Sequence, residues 1–288
     1  MNKGLGKLNV IITCLSLLLA LSGCGKLTLS LTDAAVDSAE KVILVFTGLE
    51  IQPENDDLIT IDFPTSKSID LMTLRDGISE TLLTDEVLPK GNYSWIKLKL
   101  DTSNSFVTIN GADYPLRIPD GDEIGLKISQ PFSILLGGSI NLTVDFDLRK
   151  SIYYPEGSST DYVLRPSLRM VDEAVIGSIS GMVDSSLISA NTDCIDNTGA
   201  IKAVLYIFSK HDITADDIDG DAPLLITSSN VKADFSYKFT FLESGDYTIS
   251  LTCEADQDDP ATNDNIHFLL NRNVIVTAGQ DRLLNFTL

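Results

Sequence analysis

Alternation of apolar and polar residues with a period of two recurs along this chain and constrains its fold more than any other feature. The alternation is clearest in residues 96–100, 140–148, 247–253 and 284–288. Such a period is typical of strands with one buried face. Residues 42–46 and 204–208 are more uniformly apolar and predict strands buried on both faces. Helical periodicity is nearly absent, apart from a turn or two at 79–86, so we predict an all-β fold.

The strand pattern is interrupted once, near residues 172–178. A strand predicted at 162–170 contains Pro166, which suits a sheet edge because proline has no backbone donor. A new strand begins at Ile176. Short strands separated by glycine-containing turns favour antiparallel sandwiches. We therefore predict two antiparallel β-sandwich domains, Ig-like or prealbumin-like, at residues 29–173 and 174–288, each of ordinary domain size.

The N-terminus has the features of a secretory signal peptide. Lys3 and Lys7 precede an apolar run over residues 8–20, which is shorter than the ~20 residues that span a bilayer. Leu21-Ser22-Gly23-Cys24 then resembles the lipobox of bacterial lipoproteins, whose cysteine takes a diacylglycerol and, after cleavage, a further acyl chain such as palmitate. The resemblance implies a signal peptide at 1–23, cleavage between Gly23 and Cys24, and a lipidated tether at 24–28. The alternatives are an ordinary signal peptide and a retained anchor.

Location follows from the same segment and from the charge. Gly25 and Lys26 follow Cys24 without the aspartate that retains Gram-negative lipoproteins at the inner membrane, so the resemblance favours the outer membrane. The chain carries 21 Lys and Arg against 41 Asp and Glu, a net charge of −20. Such a surface repels nucleic acid and offers no basic patch to anionic lipid. We predict an envelope protein held by its acyl chains, with no nucleic-acid partner.

The cysteine count predicts one disulfide. Cys14 lies in the predicted signal peptide and Cys24 would be acylated, which leaves Cys194 and Cys253. An even remainder in an oxidising compartment suggests that they pair. The alternative is two unpaired buried thiols, because sequence alone does not set the distance between their Cα atoms.

Enzyme motifs do not assemble in this sequence. Its two histidines, His211 and His267, form no His-Glu-x-x-His pair. Residues 177–181 have isoleucine where a nucleophile elbow needs serine, and Ser38 and Lys41 match Ser-x-x-Lys without its partner motifs. Paired carboxylates for glycoside hydrolysis stay open in so acidic a chain. We predict a protein that is not an enzyme and has no catalytic residues.

Two ligand hypotheses arise from particular side chains. Asp217, Asp219 and Asp221 alternate around a glycine, as in loops that bind hard cations, and a second acidic stretch follows Cys253. They make calcium the one cofactor hypothesis, against solvated loops that bind nothing. Trp95, Tyr153 and Tyr154 are candidates for stacking on a sugar, although Trp95 sits in a strand and such a residue often covers the edge of a core.

Family resemblance adds to the sandwich prediction. Residues 29–37, 88–93, 146–151 and 163–166 together resemble a bacterial lipoprotein domain called domain of unknown function 4382, over residues 27–172. Residues 177–183 and 242–247 resemble the prealbumin-like carboxypeptidase regulatory-like domains. The segments 88–93 and 242–247 share the pattern Leu-x-x-Gly-x-Tyr before an alternating strand. Neither resemblance implies catalytic residues.

These inferences combine into one functional expectation. We predict a non-catalytic, lipid-anchored envelope protein that serves ligand binding, adhesion or envelope scaffolding, with a carbohydrate or an envelope protein as partner. The alternative function is a carbohydrate-binding module, and an undetected hydrolase is the third candidate.

Overall fold

Two β-sandwiches follow one another along the chain. The structure, a computed structural model, describes residues 23–34, 39–118, 126–153, 162–218 and 224–287. Strands dominate these residues, and the only α-helices among them are α1 (Leu148–Ser151) and α2 (Ser185–Ser189). The all-β prediction is confirmed. None of the helices in the described ranges is long and apolar enough to cross a bilayer.

The described residues of the first sandwich form thirteen strands in two sheets. The smaller sheet has the order β13-β10-β1-β4, and the larger has β11-β12-β7-β6-β2-β5-β8 with β3 on β2 and β9 on β5. Strand β1 pairs in parallel with β10, whereas most other neighbours are antiparallel. The strands are β1 (Cys24–Ala34), β2 (Lys41–Pro53), β3 (Ile59–Asp70), β4 (Glu80–Pro89), β5 (Gly91–Leu100), β6 (Phe106–Ile109), β7 (Ala112–Arg117), β8 (Leu126–Ile128), β9 (Phe132–Ile134), β10 (Ser139–Asp147), β11 (Ile152–Tyr153), β12 (Tyr162–Leu164) and β13 (Leu168–Asp172).

In the second sandwich, the part of the chain that the structure describes forms seven strands in two sheets. Their orders are β17-β14-β20 and β16-β15-β18-β19. The strands are β14 (Ile176–Met182), β15 (Val204–Ser209), β16 (Leu225–Asn230), β17 (Ser236–Glu243), β18 (Gly245–Thr252), β19 (Phe268–Val276) and β20 (Asp281–Leu283). Single-turn 3-10 helices occur at Leu71–Thr73, Thr102–Asn104 and Thr192–Cys194.

Each sandwich has its own apolar core. In the first, leucines of β1 meet Leu44 and Phe46 of the opposite sheet, and the last buried member along the chain is Met170. The second core begins at Ile179 and includes the aromatic side chains of Tyr237, Phe239 and Phe286. The predicted boundary at 173/174 falls between these two cores.

Strand β15 is buried on both faces. Leu205 and Ile207 point into the second core, whereas Val204, Tyr206 and Phe208 form a smaller apolar cluster with Ile218, Leu225 and Ala255. This explains the uniformly apolar sequence of residues 204–208.

Two predictions near the N-terminus are wrong. Residues 24–28 are the start of β1 rather than a tether, because Leu27 already packs into the core and the segment pairs with β4 and β10. Residues 79–86 form most of β4 rather than a helix. Leu82 and Leu83 are both buried there, and antiparallel pairing with β1 supplies the backbone hydrogen bonds.

Two strand boundaries also differ from prediction. The strand expected at 162–170 is split into β12 and β13, which belong to different sheets, and Pro166 lies in the crossing between them. Near the C-terminus the strand is β20, and the expected strand at 284–288 makes only an isolated bridge between Phe286 and Val183. The segment is held by backbone hydrogen bonds to β14, from the Leu284 amide to the Ser180 carbonyl and from the Phe286 amide to the Met182 carbonyl, and by burial of the Phe286 ring.

The two Leu-x-x-Gly-x-Tyr segments form matching corners that cross from one sheet of a sandwich to the other. The Tyr93 hydroxyl donates to the Pro89 carbonyl at 2.6 Å, and the Tyr247 hydroxyl donates to the Glu243 carbonyl at 2.7 Å. Both rings are buried at the start of a strand. The same tyrosine corner therefore connects the two sheets in each sandwich, as in other β-sandwich proteins.

Candidate functional site

Arg149 crosses from the first sandwich into the second. Its Nε donates to Ser228 Oγ at 3.1 Å, its Nη1 to the Ala255 carbonyl at 3.2 Å, and its Nη2 to Asn230 Oδ1 at 3.0 Å. Only 6% of the side chain is exposed. The planar guanidinium suits this role because it presents several donors in a fixed geometry.

The start of helix α1 aims Arg149 at the second sandwich. Asp147 ends β10, and its side chain accepts a hydrogen bond from the Lys150 amide as the helix N-cap. The Ser151 hydroxyl donates to the Asp147 carbonyl at 2.6 Å, which closes the single turn. Capping of this kind fixes the direction in which the short helix leaves the strand.

Two further basic residues of the first sandwich reach backbone carbonyls of the second. Lys150 Nζ donates to the Leu225 carbonyl at 2.9 Å. Arg169 Nη1 donates to the Phe241 carbonyl at 2.6 Å, while its Nη2 pairs with Asp145 Oδ2 at 2.5 Å. The junction between the sandwiches is thus held by charged donors rather than by a shared apolar core.

Buried carboxylates lie on the first-sandwich side of this junction. Parallel pairing of β1 with β10 places Asp33 opposite Phe146, between the positions of Asp145 and Asp147. All three carboxylates are buried, and Asp33 is only 7% exposed. Of the six buried charged side chains in the described part of the chain, four lie here: Asp33, Asp145, Asp147 and Arg149.

Asp33 is the least hydrogen-bonded of the three carboxylates. Neither of its oxygens accepts a hydrogen bond of good geometry. Burial, reinforced by the charges of Asp145 and Asp147, raises the pKa of Asp33 well above its ordinary value, although Arg75 and the Leu148 amide oppose the rise. It faces a cavity of about 150 Å³ at the junction, large enough for roughly five water molecules. The site can thus hold a proton together with a small polar group.

The sequence did not identify the junction as a site. Asp33, Asp147, Arg149 and Lys150 all lie in segments 29–37 and 146–151, which entered only as carriers of a family resemblance. The available signal was an alternating strand that ends in two aspartates and two basic residues, where β10 leaves the sheet. Its acceptors lie 79 to 106 residues away in the chain, so no local pattern connects them.

The predicted calcium loop is only partly described. Asp219 and Asp221 lie outside the described residues. Asp217 is buried beside Asp258 and Asp264 of the second acidic stretch, and one oxygen of each of these three carboxylates lies within 4.8 Å of the others. The Asp264 amide donates to Asp217. The structure thus brings the two acidic stretches together, and calcium binding stays a prediction.

Asp258 is held by neutral donors and faces several charges. The Tyr206 hydroxyl donates to its Oδ2 at 2.5 Å, and the Ile218 amide donates to its Oδ1 at 3.1 Å. Burial, with the nearby charge of Asp217, raises the pKa of Asp258 to about 6, while both hydrogen bonds and the Arg149 charge act in the opposite direction. With a pKa of about 6, Asp258 is mostly ionised at neutral pH, although its buried surroundings favour the protonated form.

The Asp258→Asn variant is expected to lose less folding stability than the native chain when the pH is raised to neutral. An unfolded aspartate titrates near 3.9, so the folded state binds more protons between about pH 4 and pH 6, and its stability falls as pH rises through that window. At ~1.4 kcal/mol per pKa unit the loss is on the order of 2–3 kcal/mol. Denaturant unfolding at pH 4.5 and 7.5 should show that the native chain loses unfolding free energy relative to the Asp258→Asn variant by that amount as the pH rises. The exposed Asp57→Asn control should lose as much as the native chain. The same pH dependence in the Asp258→Asn variant and the native chain would contradict the assignment.

The predicted disulfide is present. Cys194 and Cys253 are bonded, their Cα atoms are 4.7 Å apart, and both lie in the second core. The bond joins the 3-10 turn Thr192–Cys194 to the residue after β18. The alternative of two unpaired thiols is therefore wrong.

The aromatic candidates are only partly described, and Trp95 and Tyr153 belong to different strands of the larger sheet. Trp95 lies on β5 with partial exposure, and the Lys127 ammonium sits 4.5 Å from its ring centroid, over one face. The backbone of Tyr153 belongs to β11, opposite Val163, while Tyr154 lies outside the described residues. Sugar binding at these positions stays a prediction.

Cys24 lies at one end of the first sandwich. Gly23 and Cys24 pass beside the β4–β5 turn, where the Lys90 amide donates to the Gly23 carbonyl at 2.8 Å. The Gly137 amide donates to the Cys24 carbonyl at 2.9 Å. Cys24 is disulfide-bonded in the structure, and acylation would take its sulfur in place of that bond.

Comparison with solved structures gives low similarity. The Bacillus anthracis TIE protein is 13% identical, with a TM-score of 0.22, and the match covers 91% of this chain but only 34% of that protein. The minor pilin GBS52 of Streptococcus agalactiae is 8% identical, with a TM-score of 0.21 and coverage of 90% and 94%. A proposed carbohydrate-binding protein of Pseudomonas aeruginosa is 12% identical, with a TM-score of 0.23 and coverage of 40% and 91%.

Comparison with sequence families is more informative. No curated protein matches the chain. Residues 24–166 match the family described as domain of unknown function (DUF4382), which is the family that segments 29–37, 88–93, 146–151 and 163–166 resemble. The match begins at the first residue of β1 and includes helix α1 with Arg149. The match covers most of the first sandwich and ends at residue 166, before β13.

Proposed function

We propose that this chain is an extracytoplasmic lipoprotein that binds or scaffolds other envelope components without catalysis. The buried Cys194–Cys253 disulfide is the observation that carries the location. Disulfides form and persist in oxidising compartments and are rare in the cytosol. The lipobox-like residues up to Cys24 support an acyl anchor, and the absence of aspartate after Cys24 supports the outer membrane.

The junction supports a scaffolding or binding role. Arg149, Lys150 and Arg169 together make five hydrogen bonds of 3.2 Å or shorter across it. Inter-domain interfaces are mobile by default unless they are large and hydrophobic, and at this junction we propose that the buried hydrogen bonds of Arg149 limit the motion instead. A pair of sandwiches fixed in this way presents one continuous surface to a partner, which suits an adhesive or structural protein. The partner that we propose is an envelope protein or a carbohydrate.

The acyl anchor is tested by comparing two cysteine variants of the full chain in a bacterial host. Native protein and Cys14→Ser, whose change lies within the signal peptide, should both yield a mature chain that starts at residue 24 and carries the mass of the acyl groups. Cys24→Ser should remain an uncleaved precursor without that mass, because the acceptor sulfur is gone. Intact-mass spectrometry of the membrane fraction measures both properties.

The same experiment contains the result that would overturn the proposal. A native mature chain that begins before residue 24, or that begins there without added mass, would remove the anchor. Acylation of Cys24→Ser to the native level would place the lipid elsewhere.

A further inference from the structure

The turn that connects β9 to β10, which lie in different sheets, exposes two adjacent leucines. Leu135 is 72% exposed and Leu136 is 54% exposed, and Leu135 is the most exposed large apolar residue in the described part of the chain. Gly137 and Gly138 follow them, and Gly137 has a φ of +66°, a left-handed conformation that favours glycine. Single exposed apolar residues are ordinary on protein surfaces, but two exposed neighbours in one turn are less common.

The β9–β10 turn is hydrogen-bonded to the segment that carries Cys24. The Gly137 amide donates to the Cys24 carbonyl and the Lys26 amide donates to the Gly138 carbonyl, both at 2.9 Å. Gly25 lies so close to the Leu135 carbonyl that a side chain there would collide with it. The positions of the two leucines are therefore fixed relative to Cys24 by the backbone.

The surface around Cys24 differs in charge from the rest of the chain. We call residues 23–26, 87–91 and 134–138 the anchor pole. It contains no acidic residue, although the chain has 41 Asp and Glu, and its charged side chains are Lys26 and Lys90. Asp85 lies at its edge and pairs with Lys26, with 3.2 Å between Oδ2 and Nζ. Val87 adds a third exposed apolar side chain to this pole. Apolar tips with lysines beside them suit the boundary between acyl chains and headgroups.

We propose that Leu135 and Leu136 insert into the bilayer that holds the acyl chains, so that the anchor pole rests on the lipid surface. The inference depends on the proposed acylation of Cys24. Two leucines are too few to hold a free protein on a membrane. An anchor in the adjacent strand already keeps the protein at the bilayer, so their insertion is intramolecular and most of the entropy cost of association is avoided. The rest of the acidic surface then projects away from the lipid.

The test uses the full, acylated protein in vesicles of neutral phospholipid. Cys194 and Cys253 are bonded to each other, so in the acylated chain a cysteine introduced at position 135 is the thiol that takes a polarity-sensitive fluorophore. We expect blue-shifted emission from the Leu135→Cys variant and several-fold stronger quenching by lipids with a quencher in the acyl chain. The matched control is Ile275→Cys, because Ile275 is a similarly exposed apolar residue of the second sandwich.

A second pair of variants separates insertion from a local effect of the label. A fluorophore on Lys90→Cys should report lipid contact in the native background and lose it when Leu135 and Leu136 are both changed to asparagine. Emission at 135 that matches the control at 275, or contact at 90 that survives the double change, would overturn the inference. A protein that fails to float with the vesicles and lacks the acyl mass would instead contradict the anchor itself.

Discussion

Replacing both Cys194 and Cys253 with alanine is expected to lower the free energy of unfolding of the second sandwich by about 4 kcal/mol. The two cysteines are 59 residues apart in sequence, and a cross-link over a loop of this length removes roughly that much chain entropy from the unfolded state. Domains are stable by only about 5–15 kcal/mol. The change would therefore remove a large part of the stability of this sandwich.

The position of the disulfide explains why nothing else replaces it. Residues 183–203 contain only the short helix α2, a 3-10 turn and two isolated bridges, so few strand hydrogen bonds hold them. Between its end residues Val183 and Ala203, the segment buries only Ile188 and Cys194 in the second core. The bond to Cys253 therefore anchors a long connection to the sheet that contains β18.

Denaturant unfolding followed by fluorescence and circular dichroism measures this effect. The matched control is Ser189→Ala, an exposed change in the same connecting segment, which we expect to leave the midpoint nearly unchanged. Native protein treated with a reductant should behave like the double variant. A loss below about 1 kcal/mol would mean that the unfolded chain is already compact near this loop, since the entropic estimate assumes an open one.

The sequence predicted those features that depend on local periodicity or on simple counting. Alternation located β5, β10 and β18, because each turns an apolar face into a core, although on β10 and β18 most of the polar face is buried as well. The disulfide followed from counting cysteines, once Cys14 and Cys24 were assigned elsewhere. The Leu-x-x-Gly-x-Tyr pattern located two turns before strands, and the structure adds the tyrosine hydroxyl bond to a carbonyl four residues away.

Features that depend on distant partners could not be predicted in the same way. Residues 24–28 look like a tether in isolation and become a strand only because β4 and β10 pair with them. Asp33 is an ordinary polar residue until the parallel register places it beside Asp145 and Asp147. The calcium hypothesis named Asp217 correctly as part of an acidic group, but its neighbours Asp258 and Asp264 come from another loop.

Arg149→Ala is expected to destabilise the chain by about 3–4 kcal/mol and to separate the unfolding of the two sandwiches. The change removes a buried cation that donates to Ser228, Asn230 and Ala255. A hydrogen bond to a charged group contributes ~1.5–3 kcal/mol, and a buried acceptor that loses its donor costs ~1–3 kcal/mol. Part of this cost is recovered if water enters the space, which keeps the expected total below the sum.

Arg149→Lys distinguishes charge from geometry. A lysine keeps the positive charge, but its single ammonium cannot reach three acceptors that the planar guanidinium bonds at once. We therefore expect a loss of stability between those of the native chain and the alanine variant. The matched control is Arg117→Ala in the same sandwich, where the side chain is exposed, and surface changes of that kind usually stay within ~0.5 kcal/mol.

Separate unfolding of the sandwiches is the more specific part of this prediction. Coupled domains unfold together, so tyrosine and tryptophan signals should coincide in the native chain and split in the alanine variant. The only tryptophan, Trp95, reports on the first sandwich alone, which lets its fluorescence be compared with the overall circular dichroism. Coincident transitions at the native midpoint in Arg149→Ala would show that the junction is held by other contacts. The hydrogen bonds from the side chains of Lys150 and Arg169 to backbone carbonyls would then be its main support.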